Sequence, residues 1–600
     1  MTQKSYWARR RFLQASGAGT VAAALLAACG GSSGTKSEDR SGLLTIAEDT
    51  EKIAKRGGTF KFYSPSDAPR GVDPYIREIT TLNLNYRGYD NLWRLRPQVK
   101  DRPKEDVIEP MSGESWEVAP DKMSVTIKVR QGAHFDPRPP TSGRLLEAKD
   151  IAFSWDRFAQ IGTLRADYAN KVNPAAPIVS MTVIDPKTVS MKLAFPAADV
   201  FAQLADNTAG SVQIIPVETD GGFDIRREQR GSGPYYMSEY VPSSRFVFLR
   251  NPGYWDDRHP YIDRVELPIL TEYAAAVAQL RAGAIYALPT IKGEDIVATK
   301  RAVPELEMST ALAPIQGNHV TFFGWADGPN SQFKDERVRQ AYVMSWDRDL
   351  WIDTMFNVPK FEAEGLPVTK EWHSFSVPAD RKGWWLDPQG KDFGPNAKYF
   401  QHNIADAKKL LAAAGFPDGF DTNAYYDTSG QLGGPDFNQR NEILLGFARE
   451  VGIRAKIVPV DYATDWRPKF SDVQGNFDGL AFRLASTATA RSNLAAVYNK
   501  GGSLYQGWGV DGKTRLMGDP KMDELTDKIN KEFDTKAANA LAWELQRYDA
   551  QKVYIPKIPG TATGFQLNWP ALRNYAAYYP GNSNYSLAWI DETRAPLKKA

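Results

Sequence analysis

Side chains that could do covalent chemistry are scarce in this chain. Its 600 residues hold one cysteine, Cys29, and five histidines: His134, His259, His319, His373 and His402. No two of the histidines stand at metal-ligand spacing, and the single thiol has no second thiol to join it. No His-Glu-x-x-His occurs. A secreted enzyme is therefore the weaker of two classes, and neither metal nor cofactor is expected. Binding chemistry is better supplied. Aromatic residues make up 12% of the chain, with 16 Trp, enough to fill a core and still line a ligand cleft.

Cys29 itself closes a segment with a clear physical logic. Lys4, Arg9, Arg10 and Arg11 form a positive start, Phe12 and Leu13 follow, and Gly17 to Ala28 is small and apolar. Twelve residues at ~1.5 Å each fall short of a hydrocarbon core of roughly 30 Å, so the segment is a processed leader. Arg9, Arg10, Phe12 and Leu13 resemble a twin-arginine export signal, and Leu26-Ala27-Ala28-Cys29 resembles a lipobox. The expectation is a mature chain that starts at Cys29 and is lipid-anchored outside the cytoplasmic membrane. Residues 1–28 carry four cations and no acid, so their removal takes the formal net charge from +2 to −2. No basic block suited to nucleic acid is present.

The elements that must position a site follow from periodicity. Residues 30–42 are small and polar and read as a flexible tether, with order starting near Gly57. Met123, Val125, Ile127 and Val129 alternate with polar residues, the period of a half-buried strand, and the turn Ala119-Pro120-Asp121-Lys122 joins it to Ser115–Val118. A second hairpin is predicted over 181–184 and 188–193. From about residue 270 helices and strands alternate. Tyr273, Val277 and Leu280 share a helix face before Gly283, and Asn403 caps a helix that ends at Gly415. Another helix stops at Gly452 and the strand Ile453–Ile457 follows, which argues for a sheet with helical cover. Residues 372–400 read as a long, aromatic surface loop.

Several fragments in order resemble one family, the extracellular solute-binding proteins of ABC importers, family 5, the dipeptide/oligopeptide/nickel class. They include Gly57-Gly58-Thr59-Phe60, Tyr89-Asp90-Asn91-Leu92, Gly231-Ser232-Gly233-Pro234-Tyr235, Asn251-Pro252-Gly253-Tyr254-Trp255, and Val338-Arg339-Gln340-Ala341 with Asp347-Arg348. The resemblance runs from about Gly57 to Ile555. It implies an α/β, two-lobed periplasmic-binding-protein fold (type II, cluster C) with an extra β-rich subdomain. The implied organisation is a leader over 1–28, a lipidated tether over 29–55 and a first lobe over 56–315 with its subdomain at about 75–225. A second lobe then spans 316–553, and 554–600 return to the first. The chain would cross the hinge near Pro314 to Trp325 and return near Tyr554 to Phe565. Arg339 and Asp347 read as helix-surface or interlobe ion-pair residues.

The implied function is capture of a peptide or other small polar solute between the lobes and delivery to an ABC permease. The protein would be a monomer with no nucleic-acid partner. Peptide-binding members carry Tyr-Asp, then Trp seven residues after the Tyr, then an Asp that pairs with the ligand ammonium. Here the segment is Phe477-Asp478-Gly479-Leu480-Ala481-Phe482-Arg483-Leu484-Ala485-Ser486-Thr487, so Leu484 and Thr487 replace the Trp and the final Asp. A buried ammonium without that carboxylate loses a bond worth about 1.5–3 kcal/mol. Oligosaccharide, anionic-solute or metal-chelate binding therefore stays open beside peptide binding. Arg483 is either a cleft cation or the partner of a lobe carboxylate. Ser66, Asp67, Trp325, Tyr505 and Trp508 complete the candidate contacts by their positions after the first strand, near the hinge and in the Gly-rich loop 501–508.

Overall fold

The alternation around Val125 becomes the second strand of an antiparallel sheet in the order Gly113–Val118, Ser124–Val129, Thr188–Leu193, Ile178–Asp185. This is a computed structural model, and it describes residues 38–598 except 69, 77–78, 101–106, 206–211, 290, 312–317, 327–330, 428–435, 486, 488 and 579–585. Val125, Ile127 and Val129 are buried beneath the helix Ala148–Ile161, each burial worth about 1.5–3 kcal/mol. Both expected hairpins form, with Val125 opposite Val118 in the first and Val183 opposite Val189 in the second. Their core runs from Tyr75 to Ile225 and is separate from two larger ones.

The first of these packs on a mixed sheet of Thr59–Lys61, Arg264–Pro268, Arg245–Arg250 and Tyr235–Val241. The helix Tyr273–Arg281 covers it with Ala276, Val277 and Leu280. Gly283 ends that helix at φ +70°, where a Cβ would lie 2.6 Å from Pro596 Cβ. The second core packs on Ile453–Val460, Phe420–Asp427, Leu480–Leu484 and His319–Phe323, the first three parallel and the last antiparallel. Asn403 caps the helix Ile404–Ala413 by accepting from Asp406 N at 3.0 Å. Gly452 turns the chain at φ +102° into the strand from Ile453, as its sequence predicts.

Among the described residues, two segments that pass between these bodies run side by side. Glu307–Ala311 pairs with Gly564–Asn568 on the first-lobe side. On the other side Thr321 N donates to Pro556 O at 3.0 Å and Ile558 N to His319 O at 3.1 Å. Pro314, expected at the outgoing crossing, lies outside the described residues.

Four features differ from expectation. The tether stops early: Arg40 N donates to Gly365 O and Thr45 N to Met308 O, and buried Thr50 donates to Asn574 Oδ1. Leu43 and Leu44 give this stretch apolar surface to bury, so it docks on the first lobe. Second, 316–553 is not packed wholly in the second lobe. Phe361 and Leu366 join the first-lobe core, with Phe361 edge-on to Phe565 at 4.9 Å. Third, 372–400 is less a surface loop than a buried strap, short turns carrying Phe375, Phe393 and Phe400 inward. Fourth, Arg339 is not on a surface: it is 2% exposed and bonds only to backbone carbonyls, while Asp347 caps the helix Arg348–Met355. Cys29, Arg9, Arg10, Phe12 and Leu13 lie outside the described residues.

One buried acid gives a pH test of the subdomain junction. Asp90 is fully buried, its Oδ2 accepts from Trp255 Nε1 at 3.0 Å, and its Oδ1 has no partner among the described residues. Burial pushes the carboxyl up to about 7, against the pull of the Trp255 bond and the Arg94 and Arg130 charges. The folded state therefore holds a proton that the unfolded chain gives up near its ordinary value of ~4. Stability from this group is full on the acid side and falls as pH rises from about 4 to 7. Asp90→Asn should thus gain about 2–4 kcal/mol over the parent on going from pH 4 to pH 8, read from urea midpoints. An equal difference at both pH values would contradict the assignment.

Candidate functional site

Thr487 is where the second lobe meets the β-rich subdomain. It lines two cavities. One, of about 290 Å³, lies between Asp167, Pro174, Phe195 and Asp199 of the subdomain and Ser492, Ala496, Asn499 and Lys531 of the second lobe. The other, of about 10 Å³, is bounded by Asn318, Ser376, Arg381, Thr489 and Asn493 near the hinge.

The helix Ala490–Tyr498 holds this junction in place. Thr489 and Ser492 form its capping box, each side chain accepting from the other's backbone N–H. The same hydroxyls continue outward. Thr487 Oγ1 is 2.7 Å from Ser492 Oγ, which is 2.9 Å from Thr489 Oγ1, which donates to Asp199 Oδ2 at 2.6 Å. A chain of three hydroxyls thus links Thr487 to a carboxylate from the opposite body. Arg491 Nε lies 4.0 Å from Asp199 Oδ1. Ala198 N donates to Asn530 O at 3.0 Å and Ser503 donates to Asp167, so the two bodies are in contact across the gap.

The charge is unevenly shared. At the subdomain end the cavity wall carries Asp167, Asp199 and Asp527 against Lys531, with Arg491 close to Asp199. Arg381 stands at the hinge end, and buried Lys557 sits behind Asn493, its Nζ 3.5 Å from Asn493 Oδ1. Burial pulls the Lys557 ammonium down to about 8. The arrangement offers an acid face and a basic face about a neutral hydroxyl.

The other sequence-picked residues do not gather here. Ser66 O accepts from Ser64 Oγ. Asp67 accepts from Tyr240 Oη at 2.6 Å and from Ser243 N at 2.7 Å, closing a first-lobe hairpin. Burial raises its pKa, but these bonds outweigh that and hold it below the ordinary carboxylate range. Trp325 is 1% exposed under the Arg339 guanidinium, 5.2 Å from its ring. Tyr505 Oη donates to Trp508 O, and Trp508 stacks on Tyr554 at 5.0 Å, so both are core of the second lobe. Arg483 lies over Phe322 and donates to Ser471 Oγ at 3.2 Å, and neither cavity at Thr487 includes it.

Sequence reasoning missed Asp199, Arg381, Asn493 and Lys557. Nothing local marks them, because the hinge return and the subdomain bring them together from distant positions. It also passed over Gly507-Trp508-Gly509-Val510-Asp511-Gly512-Lys513-Thr514, which has the spacing of a phosphate-binding loop. The structure gives that stretch no strand before it and no helix directly after it. Its N–H groups are already occupied: Asp511 Oδ1 accepts from Lys513 N and Thr514 N at 2.9 Å, so an internal carboxylate fills the place of an anion.

The histidines supply no chemistry at the cleft. Burial and the nearby Arg440 drive His319 down to about 3, and burial with Lys557 and Arg348 does the same to His373. Both are neutral across physiological pH. Among the described residues no cluster of three or more His, Cys, Asp or Glu could hold a metal, and no helix is long and apolar enough to cross a membrane.

The chain is similar to known proteins throughout this architecture. Haem-binding protein A of Haemophilus influenzae is 24% identical over 469 residues, 75% of this chain and 78% of that protein. The solved structure of DppA from Helicobacter pylori in complex with the peptide STSA matches with a TM-score of 0.67 at 17% identity, over 90% of this chain and 99% of that one. AgaA in complex with agropinic acid, from A. tumefaciens R10, matches with a TM-score of 0.67 at 18% identity, over 89% and 99%. The model of the bacterial extracellular solute-binding proteins, family 5 Middle, matches residues 107–502, about two thirds of the chain. With its two-lobed α/β fold and a gap between the lobes, this chain belongs to family 5 of the bacterial extracellular solute-binding proteins.

Proposed function

We propose that this protein is the lipid-anchored receptor of an ABC importer. It captures a peptide or another small polar solute in the gap at Thr487 and delivers it to the membrane permease. The observation that carries this reading is the junction itself: a cavity of about 290 Å³ between separately packed bodies, acidic on one wall, with cations toward the hinge. Paired crossing segments suit a hinge, and a solute held by both walls stabilises closure by its differential affinity. The peptide bound by DppA and the agropinic acid bound by AgaA are both small and polar, which supports this solute class.

Native mass spectrometry on the chain purified without denaturation tests capture. A retained small polar molecule, whose re-addition raises the melting temperature and lowers the radius of gyration, is the expected result. A binding partner of another kind, or a solute that leaves both quantities unchanged, would count against it.

Anchoring has its own test. The twin-arginine motif would carry the folded chain across the membrane, and Cys29 would then take the lipid. Cys29→Ala should move the processed protein from the membrane fraction to the soluble one. Continued partition with membranes after leader cleavage would refute the anchor.

A further inference from the structure

The hinge end of the cleft carries positive charge that no acid among the described residues answers at bonding distance. Lys557 is 1% exposed, and the one hydrogen bond its ammonium makes among the described residues, to Asn493 Oδ1, is long at 3.5 Å. An ammonium has three N–H donors, and burying one without a bonded carboxylate is costly. The acids that act on it, Asp380 and Asp549, do so at longer range. Asp549 is already engaged, with Ser376 Oγ on Oδ2 at 2.5 Å and Tyr554 N on Oδ1 at 3.3 Å. Arg381 is half-buried on the cavity wall, and its guanidinium has no hydrogen bond or ion pair among the described residues. Thr487, shared by both cavities, contributes a hydroxyl and no charge.

We infer that Lys557 and Arg381 form an anion subsite at the hinge end of the cleft, which takes the carboxylate of a small acidic or zwitterionic solute. This rests on the gap at Thr487 being where solute binds. Arg381 offers the planar fork that a carboxylate accepts, and Lys557 the point charge behind it. At about 10 Å³ the recess has room for one water-sized atom, so it takes one carboxylate oxygen of a solute whose body lies toward Thr487. Asp199, on the far side of Thr487, then faces the opposite end of a zwitterion.

The test is thermal melting of the full chain in sodium acetate and sodium succinate against sodium chloride at equal ionic strength. The parent should melt higher in the carboxylates. Lys557→Met and Arg381→Ala should each weaken that response about tenfold or more in apparent Kd. In chloride Lys557→Met should also melt higher than the parent, because it removes an under-bonded buried charge, whereas a lysine with only a structural role would melt lower on removal. Should Lys557→Met fail to fold, Arg381→Ala on the half-exposed wall carries the comparison. Carboxylates no better than chloride on the parent, or equal responses from all three proteins, overturn the subsite. So does a retained solute without an acidic group, and that result leaves the receptor reading standing.

Discussion

Replacing Arg339 by methionine is expected to cost the second lobe about 3–5 kcal/mol. Its guanidinium donates to four buried or part-buried carbonyls: Lys552 O at 2.8 and 3.0 Å, Val553 O at 3.0 Å, Phe333 O at 2.7 Å and Lys334 O at 2.9 Å. Two of these end the helix Thr535–Lys552, whose last carbonyls have no intrahelical donors and whose dipole favours a cation there. The side chain is also held between the rings of Trp325 and Tyr554, at 5.2 and 5.3 Å. Methionine fills similar volume but returns none of the bonds, leaving carbonyls stranded in the core. Urea unfolding should show a lower midpoint with the slope unchanged. Arg337→Met is the control. That residue lies on the same helix but half exposed, paired with Asp335, and should change stability by less than about 1 kcal/mol. Equal effects from the two variants would contradict the capping role.

Asp199→Ala is expected to lower affinity for the retained solute about 10- to 100-fold. The carboxylate is one of two acids, with Asp167, that the subdomain lends to the Thr487 junction, and it accepts the Thr489 hydroxyl that caps the helix Ala490–Tyr498. Its loss removes a charge from the proposed ligand gap and frees Arg491 of its facing acid. Both effects disfavour the closed arrangement. Asp199→Asn keeps the hydrogen bond but not the charge, and should fall between the parent and alanine. Calorimetric titration of the solute measures the ordering, and small-angle scattering reports closure. Unchanged affinity in Asp199→Ala would remove this residue from the site.

The scaffold was largely legible in the sequence because its signals are local. Val125, Ile127 and Val129 show their period without reference to anything distant, and Asn403, Gly415 and Gly452 punctuate helices by chemistry that acts within a turn. The ordered motifs then pointed to the family. Of the proposed site, only Thr487 was singled out from the sequence, where an ordered segment indicated which position to inspect. Trp325, Tyr505 and Trp508 fitted a ligand platform by residue type, yet they pack on Arg339, Tyr554 and, edge-on, each other, because large aromatics serve cores as readily as clefts. Asp67 fitted by position but closes a hairpin through Tyr240. Asp199 and Lys557 stand 288 residues before and 70 residues after Thr487, so only the fold brings them to it. The docking of residues 40–54 was hidden for a different reason: their polarity suggested a tether, while Leu43, Leu44 and Thr50 found partners far away in the sequence.

The most direct measurement of where solute binds is the crystal structure of the full chain with the solute it retains on purification. Density bounded by Thr487, Asp199 and Arg381, with the two lobes closed upon it, is the expected result. Density instead in the separate cavity of about 790 Å³ lined by Lys334, Glu336, Asp511 and Lys513, with the Thr487 gap empty, would contradict it.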